Sequence, residues 1–562
     1  MGAVARKVGA MAAGMVRGAL SAMLLAGPAA AAEARFDWFE YRGRDPAATE
    51  AVGPDRYRNP ILPGFHPDPS LTRVGSDYYL VTSTFAYFPG LPIFHSRDLV
   101  SWTQIGSAID RPSQLDFTGL GLSRGVFAPT ISHRDGTFYI LNTCVDCGGN
   151  YLITAKDPAG PWSDPVWLRE IDGIDPSFFF DADGRSYILN NGPPEGAPLY
   201  DGHRAIWIQA FDLAARRPVG PRRVLVNGGV DISTKPVWIE GPHIFRRGDW
   251  YYLSCAEGGT AEGHSQVILR SRHVLGPYAP WAGNPTLTQR DLPRDRPHPI
   301  TSAGHAQLVQ TQTGEWWASF LATQPYAADA YNTGRETFLL PVRWTPDGWP
   351  VILPPGQAIP RTVRRPDLPT SASTPPGARD EFAGGELGAG WLTIRTPKSR
   401  WHQLADGALA LQARGEPLGA GGQPSYLGRR QSHMDAEVET RVRFSPTQEG
   451  DRAGLVALQS DAFFYALTVQ RRDGRTVVAL ERRAGPKDAV HGAVIAVAPL
   501  APGTPVDLRI TARGGRYDFA YAVPSAGWRT LAAGQDGTIL STKVAGGFVG
   551  ATLGLYAYSP GA

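Results

Sequence analysis

Apolar and polar residues alternate in the same way in five separate segments of the chain. Each segment has a short apolar strand, a turn ending in Gly or Asp, and a second strand rich in aromatic residues. This pattern predicts five β-hairpins, because alternation around a Gly-containing turn is typical of paired antiparallel strands. The segments are DPSLTRVGSDYYLVTST from Asp68, APTISHRDGTFYILNT from Ala128, DPSFFFDADGRSYILNN from Asp175, GPHIFRRGDWYYLSCAE from Gly241 and HAQLVQTQTGEWWASFL from His305.

The spacing of the repeats predicts the architecture of the first domain. The segments start 60, 47, 66 and 64 residues apart, which leaves room for about four short strands in each repeat. Units of this size are typical of propeller blades with loop insertions. We therefore expect an all-β fold in which residues 57–353 form a five-bladed β-propeller.

Equivalent residues of propeller blades are related by rotation about a central channel. The residues at the start of each repeat should therefore face one another around one end of that channel, although they are far apart in the sequence. These positions are Asp68, Ala128, Asp175, Glu240–Gly241 and His305.

The composition changes after the fifth repeat. Residues 354–377 read PPGQAIPRTVRRPDLPTSASTPPG, which predicts a stiff Pro-rich linker. Beyond it, alternating stretches such as AEVETRVRF and FFYALTVQRR indicate antiparallel strands without a comparable repeat. Residues 378–562 are therefore expected to form a β-sandwich.

The first 32 residues are typical of a secretory signal. They contain a basic start, an apolar core from Ala19 to Ala26 that is too short for a permanent membrane anchor, and small residues at Ala29–Ala32. We therefore expect export to the periplasm or the exterior, with residues 33–56 as an N-terminal arm. Cleavage takes the formal charge from +3 to about zero, which removes any compositional case for a nucleic-acid or membrane partner.

The three cysteines carry no functional prediction. Cys144 and Cys147 form a C-x-x-C that lacks the second pair or the histidines of a zinc site. In an oxidising compartment they could form a local disulfide, and two free thiols are an equally open alternative.

Three of the repeat-start positions carry or adjoin a carboxylate: Asp68, Asp175 and Glu240. Cleavage of a glycosidic bond at neutral pH needs one protonated and one ionised carboxyl group. Three like charges that are close together and partly desolvated raise at least one pKa. A single Asp-Pro is also common as a turn or strand cap, but two Asp-Pro-Ser tripeptides and a Glu at equivalent positions favour a catalytic site.

Other side chains could complete this site. His305 could orient a water or hold a calcium or other divalent ion in the channel, or it could be a core histidine. Arg335 could bind a pair of sugar hydroxyls with its fork of donors, or it could form an ion pair with Glu336 or another acid. The aromatic residues that could stack on a sugar, or pack in the core, are Phe85, Phe127 and Trp102.

Several motifs resemble those of glycoside hydrolase family 43, in its two-domain branch of β-xylosidases and α-L-arabinofuranosidases. The resemblance runs from Tyr57 to Ala562. It is carried by Phe65-His66-Pro67-Asp68-Pro69-Ser70, Gly173-Ile174-Asp175-Pro176-Ser177, Trp238-Ile239-Glu240-Gly241-Pro242-His243, Gly304-His305-Ala306 and Gly334-Arg335-Glu336-Thr337.

The resemblance implies a five-bladed propeller followed by a concanavalin-like β-sandwich, and hydrolysis with inversion of terminal xylose or arabinofuranose linkages in hemicellulose oligosaccharides, without a required cofactor. By position, Asp68 matches the general base, Glu240 the general acid, and Asp175 the third carboxylate, which tunes the pKa of the acid. His305 and Arg335 match the channel histidine and the substrate-binding arginine. An inverting mechanism implies acid and base carboxyls about 6.5–9.5 Å apart.

Two departures from the family pattern leave questions open. Many xylosidases of the family have a tryptophan where this chain has Phe127. Stretches 83–90 and 200–204 are closer to a branch that includes arabinofuranosidases, so the choice between xylose and arabinofuranose stays open. The strand pattern of the sandwich also stops at Leu555-Tyr556-Ala557-Tyr558, where relatives usually continue into a last strand. Phe36–Tyr41 has the character of that strand and could complete the sandwich as in a circular permutation, or pack as an arm on the propeller.

Three alternative functions are considered. An endo-acting arabinanase or xylanase needs an open groove, which the sandwich of relatives tends to narrow. A non-catalytic sugar-binding propeller does not need three converging carboxylates. A fructan hydrolase begins with Asn-Asp-Pro-Asn-Gly, whereas Asp68 lies in His-Pro-Asp-Pro-Ser.

Overall fold

Antiparallel strands are the main regular structure of the protein. The computed structural model describes residues 32–48, 51–372, 378–524 and 526–562, so the predicted signal lies almost entirely outside the described residues. Within these ranges the protein is all-β. Its helical segments are the four-residue α-helix Thr542–Ala545 and the 3₁₀ helices Ile232–Thr234, Leu418–Ala420 and Gly537–Leu540. None of the helices among the described residues has the length and apolar character needed to cross a membrane.

Five consecutive sheets fill the first half of the described chain, and each contains one of the predicted hairpins. The turn at Asp135-Gly136 has φ of 49° and 68°, as a two-residue type I′ turn requires. The strands are Ser70–Val74, Asp77–Val81, Gly90–Ser96 and Thr103–Ile109 in sheet 1; Gly125–Val126, Thr130–Arg134, Thr137–Val145, Gly149–Ala155 and Val166–Trp167 in sheet 2; Ile174–Phe180, Ser186–Gly192, Ala205–Asp212 and Arg217–Asn227 in sheet 3; Glu240–Arg247, Trp250–Glu257, Ser265–Ser271, Ala279–Pro280 and Leu287–Thr288 in sheet 4; and Thr301–Gln310, Trp316–Thr323, Glu336–Trp344 and Pro350–Val351 in sheet 5.

The sheets follow one another around a ring. Ser70–Val74 contacts Thr130–Arg134, which contacts Ile174–Phe180, and this strand contacts Glu240–Arg247. Thr301–Gln310 of sheet 5 then contacts both sheet 4 and the first strand of sheet 1. The starts of the five repeats are thereby brought to a common centre.

Two further sheets form the second half of the protein and enclose a separate core that includes Leu455, Leu467 and Leu508. One has the strand order Ser425–Arg430, Thr552–Tyr558, Arg452–Ser460, Phe463–Arg472, Arg475–Ala484, Ala493–Pro499. The other has the order His402–Ala405, Ala408–Gln412, Glu33–Arg44, Asp435–Arg443, Val506–Arg513, Arg516–Ala522, Arg529–Asp536, with Arg379–Asp380 also paired to Glu33–Arg44.

The N-terminal strand Glu33–Arg44 lies inside the second of these sheets. It pairs antiparallel with Ala408–Gln412 on one side and with Asp435–Arg443 on the other. Phe36 and Phe39 are both fully buried in the sandwich core. The burial of these two apolar side chains stabilises the strand in this position. The segment Phe36–Tyr41 is therefore a strand of the sandwich, and it is not an arm packed on the propeller.

The predicted linker is not simply a spacer. Thr362–Arg364 pairs with Arg56–Arg58 to form a small sheet beside the first domain, and Tyr87–Phe88 pairs with Thr393–Ile394 between the two halves. Residues 373–377 of the linker lie outside the described residues. Of the two alternatives for the C-x-x-C, the structure has the disulfide Cys144–Cys147, and Cys255 is a buried free thiol.

Candidate active site

Four of the repeat-start positions share one unusual backbone conformation. The φ angles are 55° at Asp68, 55° at Asp175, 55° at Gly241 and 52° at His305. For residues other than glycine this region costs about 1–2 kcal/mol, and such strain is concentrated at functional sites. A Cβ atom on Gly241 would lie 2.6 Å from Nε2 of His305, so glycine is required there. The fifth position, Ala128, contributes no polar side chain.

These positions meet as the repeat predicted. His305 Nδ1 lies 3.5 Å from Oδ1 of Asp68, and the backbone N–H of Gly241 donates to Oδ2 of Asp175 at 3.0 Å. Glu240, the residue before Gly241, starts the first strand of sheet 4. The strand ends thus bring the three predicted carboxylates together in one place.

Asp68 is held as a carboxylate. It is 5% exposed, and burial alone would raise its pKa. The Arg335 guanidinium, His305 and the Ser83 hydroxyl outweigh burial and hold the pKa of Asp68 below its usual value. Arg335 Nη1 donates to Oδ1 at 3.2 Å, and Ser83 Oγ donates to Oδ2 at 2.5 Å. Asp68 is therefore ionised and can accept a proton.

Glu240 is shifted in the opposite direction. Removal from bulk water, together with the charges of Asp175 and Asp68, raises its pKa to about 8, although Arg335 and Arg204 act in the opposite direction. The side chain keeps part of its surface exposed to the pocket, but the surrounding protein still removes most of its hydration. Glu240 is therefore protonated at neutral pH.

The pKa of Asp175 is shifted in the same direction as that of Glu240. Burial raises its pKa above the usual value, and the charge of Asp68 adds to this effect, while His305 and the N–H of Gly241 oppose it. Two carboxyls with separated pKa values and a third that couples to both are the arrangement that acid–base catalysis needs.

Arg335 joins the base to the pocket wall. Besides Asp68, its Nη1 donates to Thr260 Oγ1 at 2.9 Å, whereas Glu336 hydrogen-bonds elsewhere. Its guanidinium carbon lies 5.8 Å from the ring centre of Phe85 and 5.4 Å from that of Phe548. Among the residues that the structure describes, none accepts a hydrogen bond from Nε of Arg335.

Three phenylalanines form an aromatic wall beside Arg335. Phe85 packs edge-to-face on Phe127 at 5.5 Å and is stacked with Phe548 at 5.9 Å, so Phe85 and Phe127 do lie together at the site. Trp102 does not join them. It is buried in the core of the first domain, and its indole N–H is held there by donating to the carbonyl of Leu99.

Phe548 comes from the sandwich. Its loop is fixed to the first domain at two places, where the N–H of Phe548 donates to Ser123 Oγ at 2.8 Å and the N–H of Tyr331 donates to Ser541 Oγ at 2.9 Å. The second domain therefore contributes a side chain to the aromatic wall.

Several residues at the site were not predicted from the sequence. Thr260 lies in a loop with no motif, and Phe548 lies in the domain that has no repeat. Ser83 lies in the first repeat segment and in the stretch 83–90, but neither pattern gives it a role. Arg204 was noted only within the stretch 200–204. Its guanidinium stacks on Trp238 at 4.1 Å, and its pKa is lowered by burial and raised by Glu240 and Asp175. Only the distances in the folded chain reveal these roles.

A divalent ion at His305 stays a prediction, because the carboxylates beside it are few ligands for one. Calcium takes about six to eight oxygen ligands, whereas the carboxylates near His305 are Asp68 and Asp175, and both already accept hydrogen bonds. Across the ranges that the structure describes, no group of three or more His, Cys, Asp or Glu side chains is arranged to hold a metal ion.

Carboxylates with opposed pKa shifts, beside an arginine and an aromatic wall in a partly closed pocket, define the site of a glycosidase. Comparisons with known proteins agree. The profile described as glycosyl hydrolases family 43 matches residues 57–350, and the profile described as beta xylosidase C-terminal concanavalin A-like domain matches residues 379–562.

Similar proteins extend over nearly the whole chain. A non-reducing end alpha-L-arabinofuranosidase of Bacteroides ovatus is 37% identical over 92% of this chain and 93% of its own. A xylosidase/arabinosidase of Butyrivibrio fibrisolvens is 37% identical over 90% of this chain and 96% of its own. The crystal structure of a GH43_12 protein from a capybara gut metagenome has a TM-score of 0.87 at 38% identity, covering 94% of this chain and 100% of that one.

The chain belongs to glycoside hydrolase family 43 and is a glycosidase. Its two domains are accordingly a propeller and a concanavalin A-like sandwich.

Proposed function

We propose that this protein is an exo-acting, inverting glycoside hydrolase that releases terminal xylose or arabinofuranose from hemicellulose oligosaccharides. The observation that carries the proposal is the opposed pKa of two carboxyls in one pocket: the pKa of Asp68 is held low, and that of Glu240 is raised to about 8. The named relatives, an arabinofuranosidase and a xylosidase/arabinosidase, support the same substrate class.

In the mechanism we propose, Asp68 is the general base. Its carboxylate takes a proton from a water molecule, whose oxygen attacks the anomeric carbon of the sugar. At the same time Glu240 gives its proton to the glycosidic oxygen, and the bond from that oxygen to the anomeric carbon breaks. Attack and departure occur on opposite faces, which inverts the configuration. The products are the free pentose and the shortened chain.

Asp175, Arg335 and His305 support these two groups. Asp175 lies close enough to raise the pKa of Glu240 by its charge, and the bond from Gly241 N–H fixes the Asp175 carboxyl. Arg335 and His305 stabilise the charge of Asp68, and the remaining donors of Arg335 are suited to sugar hydroxyls. Phe127 offers an apolar face to the ring, and Phe85, which is 1% exposed, packs against Phe127 and supports it. We propose that no cofactor takes part, and no step passes through a metal.

We propose that the ring of five sheets is a five-bladed propeller with residues 57–353 as its extent. The closed sequence of contacts between the first strands supports this. The Phe548 loop of the sandwich is bonded to the first domain beside the aromatic wall, and a second domain placed there favours removal of a terminal sugar over internal cleavage of a polymer.

We also propose that the protein is exported to the periplasm or the exterior. The basic and apolar pattern of residues 1–32 supports this, as does the disulfide Cys144–Cys147, because disulfides persist in oxidising compartments.

The experiment that tests the proposed function compares aryl β-D-xylopyranoside and aryl α-L-arabinofuranoside as substrates of the purified protein. We expect turnover of at least one of them, and the ratio of kcat/KM values identifies the sugar that fits beside Phe85 and Phe127. Folded protein that hydrolyses neither substrate, but cleaves a polymeric arabinan or xylan internally, would contradict the exo-acting assignment.

A further inference from the structure

Glu336 is a buried carboxyl group that the mechanism does not use. It follows Arg335 directly and is 0% exposed. Because successive side chains of a strand point to opposite faces, Glu336 points away from the pocket into which Arg335 reaches. A buried carboxyl costs stability relative to an apolar residue of similar size, so its presence calls for a specific role.

Both oxygens of Glu336 accept hydrogen bonds. The backbone N–H of Gly64 donates to Oε1 at 2.9 Å, and Gln324 Nε2 donates to Oε2 at 2.7 Å. Gly64 begins the five-residue segment that ends at Asp68. Glu336 therefore holds the start of the segment that carries the general base.

The same segment is attached to the neighbours of Glu336. The N–H of His66 donates to the carbonyl of Arg335 at 3.0 Å, and Thr337 Oγ1 donates to the carbonyl of His66 at 2.5 Å. Arg335 and the first two residues of strand Glu336–Trp344 thus fix the base segment. Arg335 precedes Glu336 directly and its Nη1 contacts Asp68, so a shift of Glu336 would move both members of that pair.

The hydrogen bonds continue outward to the N-terminal strand. Gln324 Oε1 accepts from Arg361 Nη1 at 2.6 Å, and the same Nη1 donates to Asp45 Oδ2 at 3.0 Å. Asp45 directly follows Glu33–Arg44, the strand that completes the sandwich sheet. A continuous polar chain therefore runs from the end of this strand through Arg361, Gln324 and Glu336 to Gly64.

We propose that Glu336 is a positioning residue that sets the geometry of Asp68 and Arg335, and that the N-terminal strand takes part in this positioning through Asp45. The inference rests on the proposed function, because it assumes that Asp68 is the base. Asp45, Arg44 and Gln324 also line a cavity of about 350 Å³, so water can replace a lost contact at the outer end of the chain but not at the buried Glu336. The effect of Glu336 on catalysis should therefore exceed that of Asp45.

The test is the variant Glu336→Gln, assayed on whichever aryl pentoside the wild type hydrolyses. Glutamine can still accept from Gly64, but its amide N–H₂ then faces the N–H₂ of Gln324. If Gln324 turns over, it withdraws its oxygen from Arg361, so one link is broken in either case. Because an error of about 1 Å in a catalytic group can cost about a hundredfold, we expect kcat to fall by about tenfold to a hundredfold with KM changed by less than about threefold.

The pH profile separates positioning from simple loss of stability. The groups whose charges act on Asp68 include Arg335, His305 and His264, and Asp68 acts in turn on Asp175 and Glu240. Loosening the Arg335 contact weakens an interaction that lowers the pKa of Asp68. The acid limb of kcat/KM should therefore move to higher pH in Glu336→Gln. For Asp45→Asn, at the outer end of the polar chain, kcat should fall by only a few fold.

Glu481→Gln is the matched control, because Glu481 is a buried carboxyl of the sandwich, paired with Arg452 at 2.7 Å. We expect it to lower the melting temperature and leave kcat and the pH profile unchanged. If Glu336→Gln behaves like this control, Glu336 is a structural residue and the inference is wrong. Wild-type protein that hydrolyses neither aryl pentoside would contradict the proposed function, which is a different result.

Discussion

The variant Asp68→Asn should lose about 10⁴-fold in kcat on an aryl pentoside. Asparagine has the shape of aspartate and can still accept the hydrogen bond from Ser83, but it cannot take a proton from water. General base catalysis contributes about 10²–10⁴-fold, and the bonds from Ser83 and Arg335 suggest that this base is well oriented. Single-turnover and steady-state rates measured against wild type provide the test.

Asp98→Asn is a suitable control for this variant. Asp98 is 2% exposed and paired with Arg365 at 3.2 Å in the same domain, away from the pocket. We expect it to lower stability and leave kcat within about twofold. An Asp68→Asn protein that is folded by circular dichroism and keeps a tenth of the wild-type rate would show that another group is the base.

The second large effect concerns Glu240→Gln and depends on the leaving group. An alkyl or sugar leaving oxygen needs a proton, so on such substrates we expect kcat to fall by about 10³-fold. A dinitrophenyl leaving group departs without a proton, and the loss should then be less than about tenfold. The measurement is kcat across a series of aryl pentosides of increasing phenol pKa. The control is Glu257→Gln, because Glu257 is a buried carboxyl on the neighbouring strand of sheet 4.

The pH dependence follows from the same assignment. The pKa of Glu240 is raised to about 8, so the active, protonated form is lost as the pH rises through that value, and wild-type kcat/KM should fall on the alkaline side near pH 8. In Glu240→Gln this alkaline limb should be absent. An unchanged alkaline limb in the variant would assign the titration to a different group.

The hairpins and the meeting of the repeat-start residues could be predicted from the sequence because both follow from a local pattern that recurs. Alternation around Asp135-Gly136 specifies a turn, and repetition of the turn at intervals of 47 to 66 residues indicates a ring. Asp68, Asp175 and His305 then meet by symmetry, without any contact having to be known.

The rest of the site depends on contacts that no local pattern encodes. Phe548 reaches the pocket because the sandwich docks on the first domain through Ser123 and Tyr331, which is a property of two surfaces. The pattern of Phe36–Tyr41 predicts a strand, but alternation does not identify the partner strands, so its place in the sandwich sheet could only be a hypothesis. Tryptophan is a residue type that often stacks on sugars, and only the burial of Trp102 beside Leu99 excludes it from the site.

The most direct test of the central claim, that Asp68 and Glu240 act on opposite faces of a terminal pentoside, is the configuration of the first sugar released. Proton NMR during the first minutes of hydrolysis, before mutarotation, identifies the anomer. The mechanism predicts α-xylose from a β-D-xyloside, or β-L-arabinofuranose from an α-L-arabinofuranoside. Initial release of the retained anomer would mean that a carboxylate attacks the sugar directly, and it would contradict the assignment of Asp68 as a base that activates water.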